Sequence, residues 1–104
     1  MGSMFVGSRA SIGVMDGSIY EATASVVVAS CLISNSGSAL IPVAVRIVAV
    51  GGKSYLMRRV RVAGGGSDDA TGGRRIALSA GERLVASCPV AGIASAIVTL
   101  YKDE

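Results

Sequence analysis

The sequence predicts an all-β fold, a small antiparallel β-sandwich with a short N-terminal arm. Three observations carry this expectation. Hydrophobic residues make up 51% of the chain, yet there is one Phe and no Trp. The core must therefore be built from Val, Ile, Leu and Ala, mostly short, branched side chains that suit pleated sheets. Short apolar runs recur between turn signals, which is the pattern of a sandwich. Fourteen glycines supply the tight turns such a fold requires. At 104 residues the chain makes one domain and can bury roughly two thirds of its unfolded surface.

Residues 1–18 mix Gly, Ser and Met with single apolar residues. They read either as an extended N-terminal arm or as edge strands, at Met4-Phe-Val6 and Ser11-Ile-Gly-Val14. Met15-Asp-Gly-Ser18 is a turn, because Asp-Gly favours positive φ. Residues 19–104 form the sandwich domain. Residues 19–21 lead into a strand at 24–34, whose stretch 26–33 is apolar on both faces and so belongs between packed layers or in a subunit contact. Asn35-Ser-Gly-Ser38 turns the chain into a second strand at 40–50. Pro42 cannot donate a ladder hydrogen bond and belongs at that strand's start or on an edge. These two strands hold most of the Val and Ile and should form the centre of the core. In the second, Val43, Val45 and Ile47 share one face. Ala44, Arg46 and Val48 share the other, which Arg46 marks as partly wet.

Gly51-Gly-Lys53 turns into an alternating strand at 54–63. Leu56, Arg58, Val60 and Val62 face inward; Tyr55, Met57, Arg59 and Arg61 face the other way. Residues 64–73 hold five glycines and no branched aliphatic residue. They read as a mobile hairpin tip without a packed role. The stretch lacks the pattern of a phosphate-cradling loop and the acidic ligands of a calcium loop. A contact loop that orders on assembly is its functional alternative. Further strands follow at 74–80, 83–88 and 94–101, with turns at Ala80-Gly-Glu82 and Ala91-Gly92. Lys102-Asp-Glu104 is a soluble tail.

Composition excludes several classes of function. Mean hydropathy is high for a small soluble protein, but a membrane helix needs about 18 apolar residues in a row. The longest runs, 26–33 and 40–50, are too short. The first residues lack the basic start and apolar run of a signal peptide, so cytosolic synthesis is expected. There is no His, which removes the usual general base and the Ser/His and Cys/His pairs. No catalytic residue, metal ligand or cofactor site is expected. Cys31 and Cys88 read as buried thiols or as a bridge between sheets, and cytosolic synthesis favours thiols. Net charge is +3, with basic residues clustered at Arg58, Arg59 and Arg61, then Arg74, Arg75 and Arg83. That cluster reads as a solvated face, or as a contact for an acidic neighbour or nucleic acid. Few aromatics stand near it to stack on bases.

The order of features resembles the small β-sandwich structural proteins of tailed bacteriophages, which serve as neck, collar, tail-associated or capsid-decorating subunits. The resemblance spans residues 19–101. It rests on Leu78-Ser-Ala-Gly-Glu-Arg-Leu84, where Glu82 stands in place of the more usual Asp, and on the strand-end pair Ser34-Asn35. It implies a non-enzymatic virion protein, made in the host cytoplasm, that oligomerises and contacts other virion proteins. Membrane, nucleic acid and small-molecule substrate are not expected partners. The candidate subunit contacts are Met4, Phe5 and Val6 of the arm, Arg58, Arg59 and Arg61, and Asp68 and Asp69. The alternative is a secreted or surface β-sandwich that binds carbohydrate or acts as an adhesin.

Overall fold

A computed structural model describes residues 3–15, 17–90 and 92–103; the side chains of residues 3–6, 8, 102 and 103 lie outside the description. Among the described residues the chain forms β1 (Ser3–Ile12), β2 (Gly17–Glu21), β3 (Val26–Asn35), β4 (Ile41–Val48), β5 (Ser54–Val62), β6 (Ser67–Asp69), β7 (Ile76–Leu78), β8 (Arg83–Ser87) and β9 (Ala94–Asp103). All pairings are antiparallel. The first sheet runs β1-β9-β3-β6, with β7 also pairing β3; the second runs β2-β8-β4-β5. The two sheets pack face to face as a small antiparallel sandwich, the expected architecture. With β6 and β7 counted as halves of one interrupted strand, the connectivity is that of a jelly roll.

The core is aliphatic. From the first sheet come Val28, Cys31, Ile33, Ala96, Val98 and Leu100; from the second, Val43, Val45, Val60, Val62, Leu84 and Ala86. Burying each Val, Ile or Leu contributes about 1.5–3 kcal/mol, so many modest contributions replace the few large aromatic ones. The outer face of the second sheet adds Val48 and Val85, buried outside that cluster.

Three expectations are corrected. The stretch 26–33 is not apolar on both faces of a regular strand. A bulge between Val28 and Ser30 adds one residue and resets the alternation. Val26 and Val28 are buried before it, Cys31 and Ile33 after it, while Leu32 is exposed. In β5 the register shifts opposite Val45 and Arg46. Val60 and Val62 point inward as expected, but Met57 packs against the core and Leu56 is exposed, the reverse of strict alternation. Lys102 and Asp103 are not a tail but pair with Met4 and Ser3 as the end of β9.

Residues 1–18 were open to two readings, arm or edge strands. β1 pairs with β9 without a break from Ser3 opposite Asp103 to Ile12 opposite Ala94, so residues 3–12 are an edge strand, while Gly13, Val14 and Met15 lie in the loop that follows it. Asp16 of the expected turn lies outside the described residues, and Gly17 already begins β2 without a positive φ. Pro42 is the second residue of β4, where pairing with β8 has not yet begun; that pairing starts at Ala44. The missing N–H therefore costs the sheet little.

Asn35 ends β3 and is 2% exposed. Its Nδ2 donates to the carbonyls of Ala39, at 2.7 Å, and Val62, at 3.0 Å, and its Oδ1 accepts from the Gly37 N–H at 2.9 Å. One side chain thus shapes the β3–β4 turn and straps it to the end of β5 in the other sheet. Its own backbone N–H and carbonyl bond to Gly66 and Gly65. Asn35→Ala would leave buried groups unpaired, each worth about 1–3 kcal/mol. We expect a loss of about 2–4 kcal/mol on urea unfolding, with Asn35→Asp recovering only the Gly37 contact; an unchanged midpoint for Asn35→Ala would refute the strap.

Candidate interaction surfaces

β5 distributes its arginines to different places. Arg59 and Arg61 lie opposite Ala44 and Pro42 on the outer face of the second sheet. Register adds Arg46, opposite Val85, and Arg83, opposite Val48 and Glu21. The basic face is therefore Arg46, Arg59, Arg61 and Arg83, with Glu21 at its β2 edge. Arg58 lies on the opposite side of β5, across from Val45. Arg58 is thus parted from Arg59 and Arg61, as the alternation of the strand predicts, and the three candidate contacts do not share one surface.

Arg58 belongs to a different construction. A Cβ built on Gly72 would overlap its Nη1, so the guanidinium lies over the β6–β7 connection. Asp69 sits beneath. Its Oδ1 accepts from the Cys31 N–H at 3.1 Å, the Thr71 N–H at 2.9 Å and the Thr71 hydroxyl at 2.8 Å. Partial burial pushes the Asp69 carboxyl up, but the Thr71 and Cys31 bonds and the Arg58 charge outweigh it and hold the group below its ordinary value of 3.8. Ala70 and Thr71 are buried, and the Ala70 N–H donates to the Cys31 carbonyl at 2.8 Å. The glycine-rich stretch 64–73 is thus pinned at its centre rather than a mobile tip, and Asp69 is committed to its own fold. Asp68 is exposed, and its Oδ1 accepts from the Asp69 N–H at 2.8 Å.

Of the arm candidates, Met4, Phe5 and Val6 lie in β1 opposite Lys102, Tyr101 and Leu100; their side chains lie outside the described residues. Cys31 and Cys88 are free and buried. Burial, with the Asp69 charge adding to it, pushes the Cys31 thiol up to about 12. The Cys88 thiol donates to the Val90 carbonyl at 2.9 Å.

The turn of the resemblance motif is built as its residues suggest. Glu82 N–H donates to the Ser79 carbonyl at 3.0 Å, its Oε1 accepts from the Ser79 N–H at 2.6 Å, and Gly81 has φ of 88°. Only glycine adopts that φ without strain. This motif shapes a turn and presents no reactive group.

Two features escaped the sequence reading. The loops joining β1–β2, β3–β4 and β8–β9 gather at one end of the sandwich, tied by Ser36 N–H to Ile93 carbonyl and Cys88 N–H to Gly13 carbonyl. On them Val14, Met15, Leu40 and Val90 stand 57%, 83%, 57% and 48% exposed. The available signal was an apolar residue beside a turn former, as in Val14-Met-Asp-Gly17 and Pro89-Val90. Second, the outer face of the first sheet is nearly uncharged. Ser11, Ser95, Ser34 and Ser67 align across its four strands, beside a row of Arg9, Ile97, Leu32 and Asp69. Among the described residues, open depressions are lined by Tyr101 and Ala77, by Pro42 and Arg59, and by Arg9 and Ile97, among others. No cluster of three His, Cys, Asp or Glu forms among the described residues. No protein-family model matches the chain, and no curated protein matches it.

Two measurements check this construction. The Asp69 carboxyl holds its proton less tightly folded than unfolded. Its contribution to stability is therefore full above the ordinary value of 3.8 and drains away as pH falls through the folded-state value. Wild type should lose stability on acidification more steeply than Asp69→Asn; identical acid profiles would remove Asp69 from this role. Thiol reagents at mildly alkaline pH should leave native Cys31 and Cys88 untouched and label both in guanidinium, since the thiolate is the reactive form. Rapid native labelling of either would contradict the burial.

Proposed function

We propose that this chain is a non-enzymatic structural subunit that oligomerises, of the bacteriophage virion type its sequence resembles, joining or decorating the particle at the neck or collar, tail or capsid. The observation that carries the assembly reading is the exposed apolar loop end, Val14, Met15, Leu40 and Val90. The loops that bear these residues contain no Lys or Arg. Exposed apolar patches of this kind mark surfaces that meet other molecules. Copies of the chain and other virion proteins are the partners in this reading. The basic outer face would set the register and approach rate of such contacts more than their strength. Reactive chemistry finds no support in a chain without His and with Cys31 held as a thiol.

A second reading draws on the connectivity. Jelly rolls also serve sugar-binding domains, which fits a secreted or surface module of carbohydrate or adhesin type. Such sites present aromatic platforms. Here Tyr55 is half exposed, with the Lys53 ammonium 5.7 Å from its ring centre, and Trp is absent.

Sedimentation velocity from micromolar to millimolar chain tests the first reading. Mass should rise with concentration, and Met15→Ser combined with Val90→Ser should weaken association about tenfold or more. A chain that stays solitary at millimolar concentration, alone and beside virion proteins, would rule it out.

A further inference from the structure

Four strand edges close the two sheets, and the chain guards three of them. An open edge is a row of unpaired N–H and carbonyl groups that templates another strand. β2 is five residues long and carries an irregularity between Ser18 and Tyr20. β6 and β7 are three residues each, separated by the pinned connection over Cys31. β5 is nine residues long, but it carries Arg58, Arg59 and Arg61 and a register shift. Short length, bulges and charge are the usual means of blunting an edge.

β1 has none of these. It is ten residues long, in unbroken register with β9, with no Pro and a single charge at Arg9. Among the described residues no strand lies along its other side.

We infer that β1 is an assembly edge whose partner is β1 of a second copy, running antiparallel across a two-fold axis at Gly7. The inference rests on the assembly reading above and adds to the apolar loop end a second surface, an edge through which two copies join. Antiparallel pairing within one continuous sheet sets residues of the same face opposite each other, so the axis falls on a residue position. Centred on Gly7, it sets Ser3 opposite Ser11 and Arg9 opposite Phe5 of the second copy. The two Arg9 positions are then four residues apart, roughly 13 Å at about 3.3 Å per residue. That exceeds the screening length of about 8–10 Å at moderate salt. Self-pairing thus brings no close like charges together. It also consumes the unguarded edge and leaves the guarded ones outside, so the contact closes as an isologous pair and does not propagate.

Gly7 allows a clean test, because a Cβ built there meets nothing within 4 Å. Gly7→Lys and Gly7→Glu are compared with wild type by sedimentation velocity, each alone and as an equimolar mixture, with folding checked by far-ultraviolet circular dichroism. Wild type should form the pair. Each variant alone should associate at least about tenfold more weakly, since like charges then face each other across the axis. The mixture should restore the pair. Should either charged variant fail to fold, Gly7→Cys replaces it: oxidation should give a covalent dimer through position 7, with Cys31 and Cys88 buried. Variants that associate like wild type, or a Gly7→Cys chain that does not cross-link, would overturn the edge while leaving the assembly reading standing. A mixture that stays apart would do the same. Wild type that never associates would overturn both.

Discussion

The buried backbone of β3 has to find hydrogen-bond partners along both edges, and the rest of the fold follows from how it does so. One edge is simple: β9 runs beside it for nearly its whole length. The other is covered in pieces, by β7 at positions 26–28 and by β6 at positions 32–34. Between these pieces the Cys31 N–H takes the Asp69 carboxylate and the Cys31 carbonyl takes the Ala70 N–H. Unpaired, each such group would cost about 1–3 kcal/mol. The requirement explains why a stretch of five glycines is ordered at its middle. It also places Arg58, on the other sheet, over the same corner. At the far end of β3, Asn35 performs the comparable task, and its side chain again crosses from one sheet to the other.

Most of the strands were legible, because alternation and turn chemistry are local. The faces of β4 and the turn at Gly81 follow from nearest neighbours in sequence. What local pattern could not reveal is where an extra residue interrupts a ladder. The bulges near Ala29 and Met57 arise from pairing with a distant strand, and each turns an alternating string into one that looks apolar on both sides or polar on the wrong one. Side-chain work across the sandwich was equally hidden. Asp69 looked like a loop carboxylate and Asn35 like an ordinary turn residue, since nothing in either neighbourhood names Cys31 or Val62 as the partner.

The surface was less legible than the core. Alternation along β5 parts Arg58 from Arg59 and Arg61 in the sequence itself, but only register recruits Arg46 and Arg83 from two other strands to the same face. The resulting molecule is polarised. One outer face is basic, the other is lined with serines and Thr99 around Leu32 and Ile97, and one end is apolar. A jelly roll supports many functions, so the proposed assembly role rests on this distribution rather than on the connectivity.

β9 sits between β1 and β3, although β3 ends at Asn35 and β9 begins only at Ala94, with five other strands between them in sequence. During synthesis neither neighbour can complete the first sheet until that late strand leaves the ribosome. The nascent chain therefore holds two long strands, β3 the more apolar of them, without their shared neighbour, and closure demands contacts between remote parts of the sequence, which makes folding slow. Over that interval the growing polypeptide is a natural client for chaperones that shield extended, greasy segments.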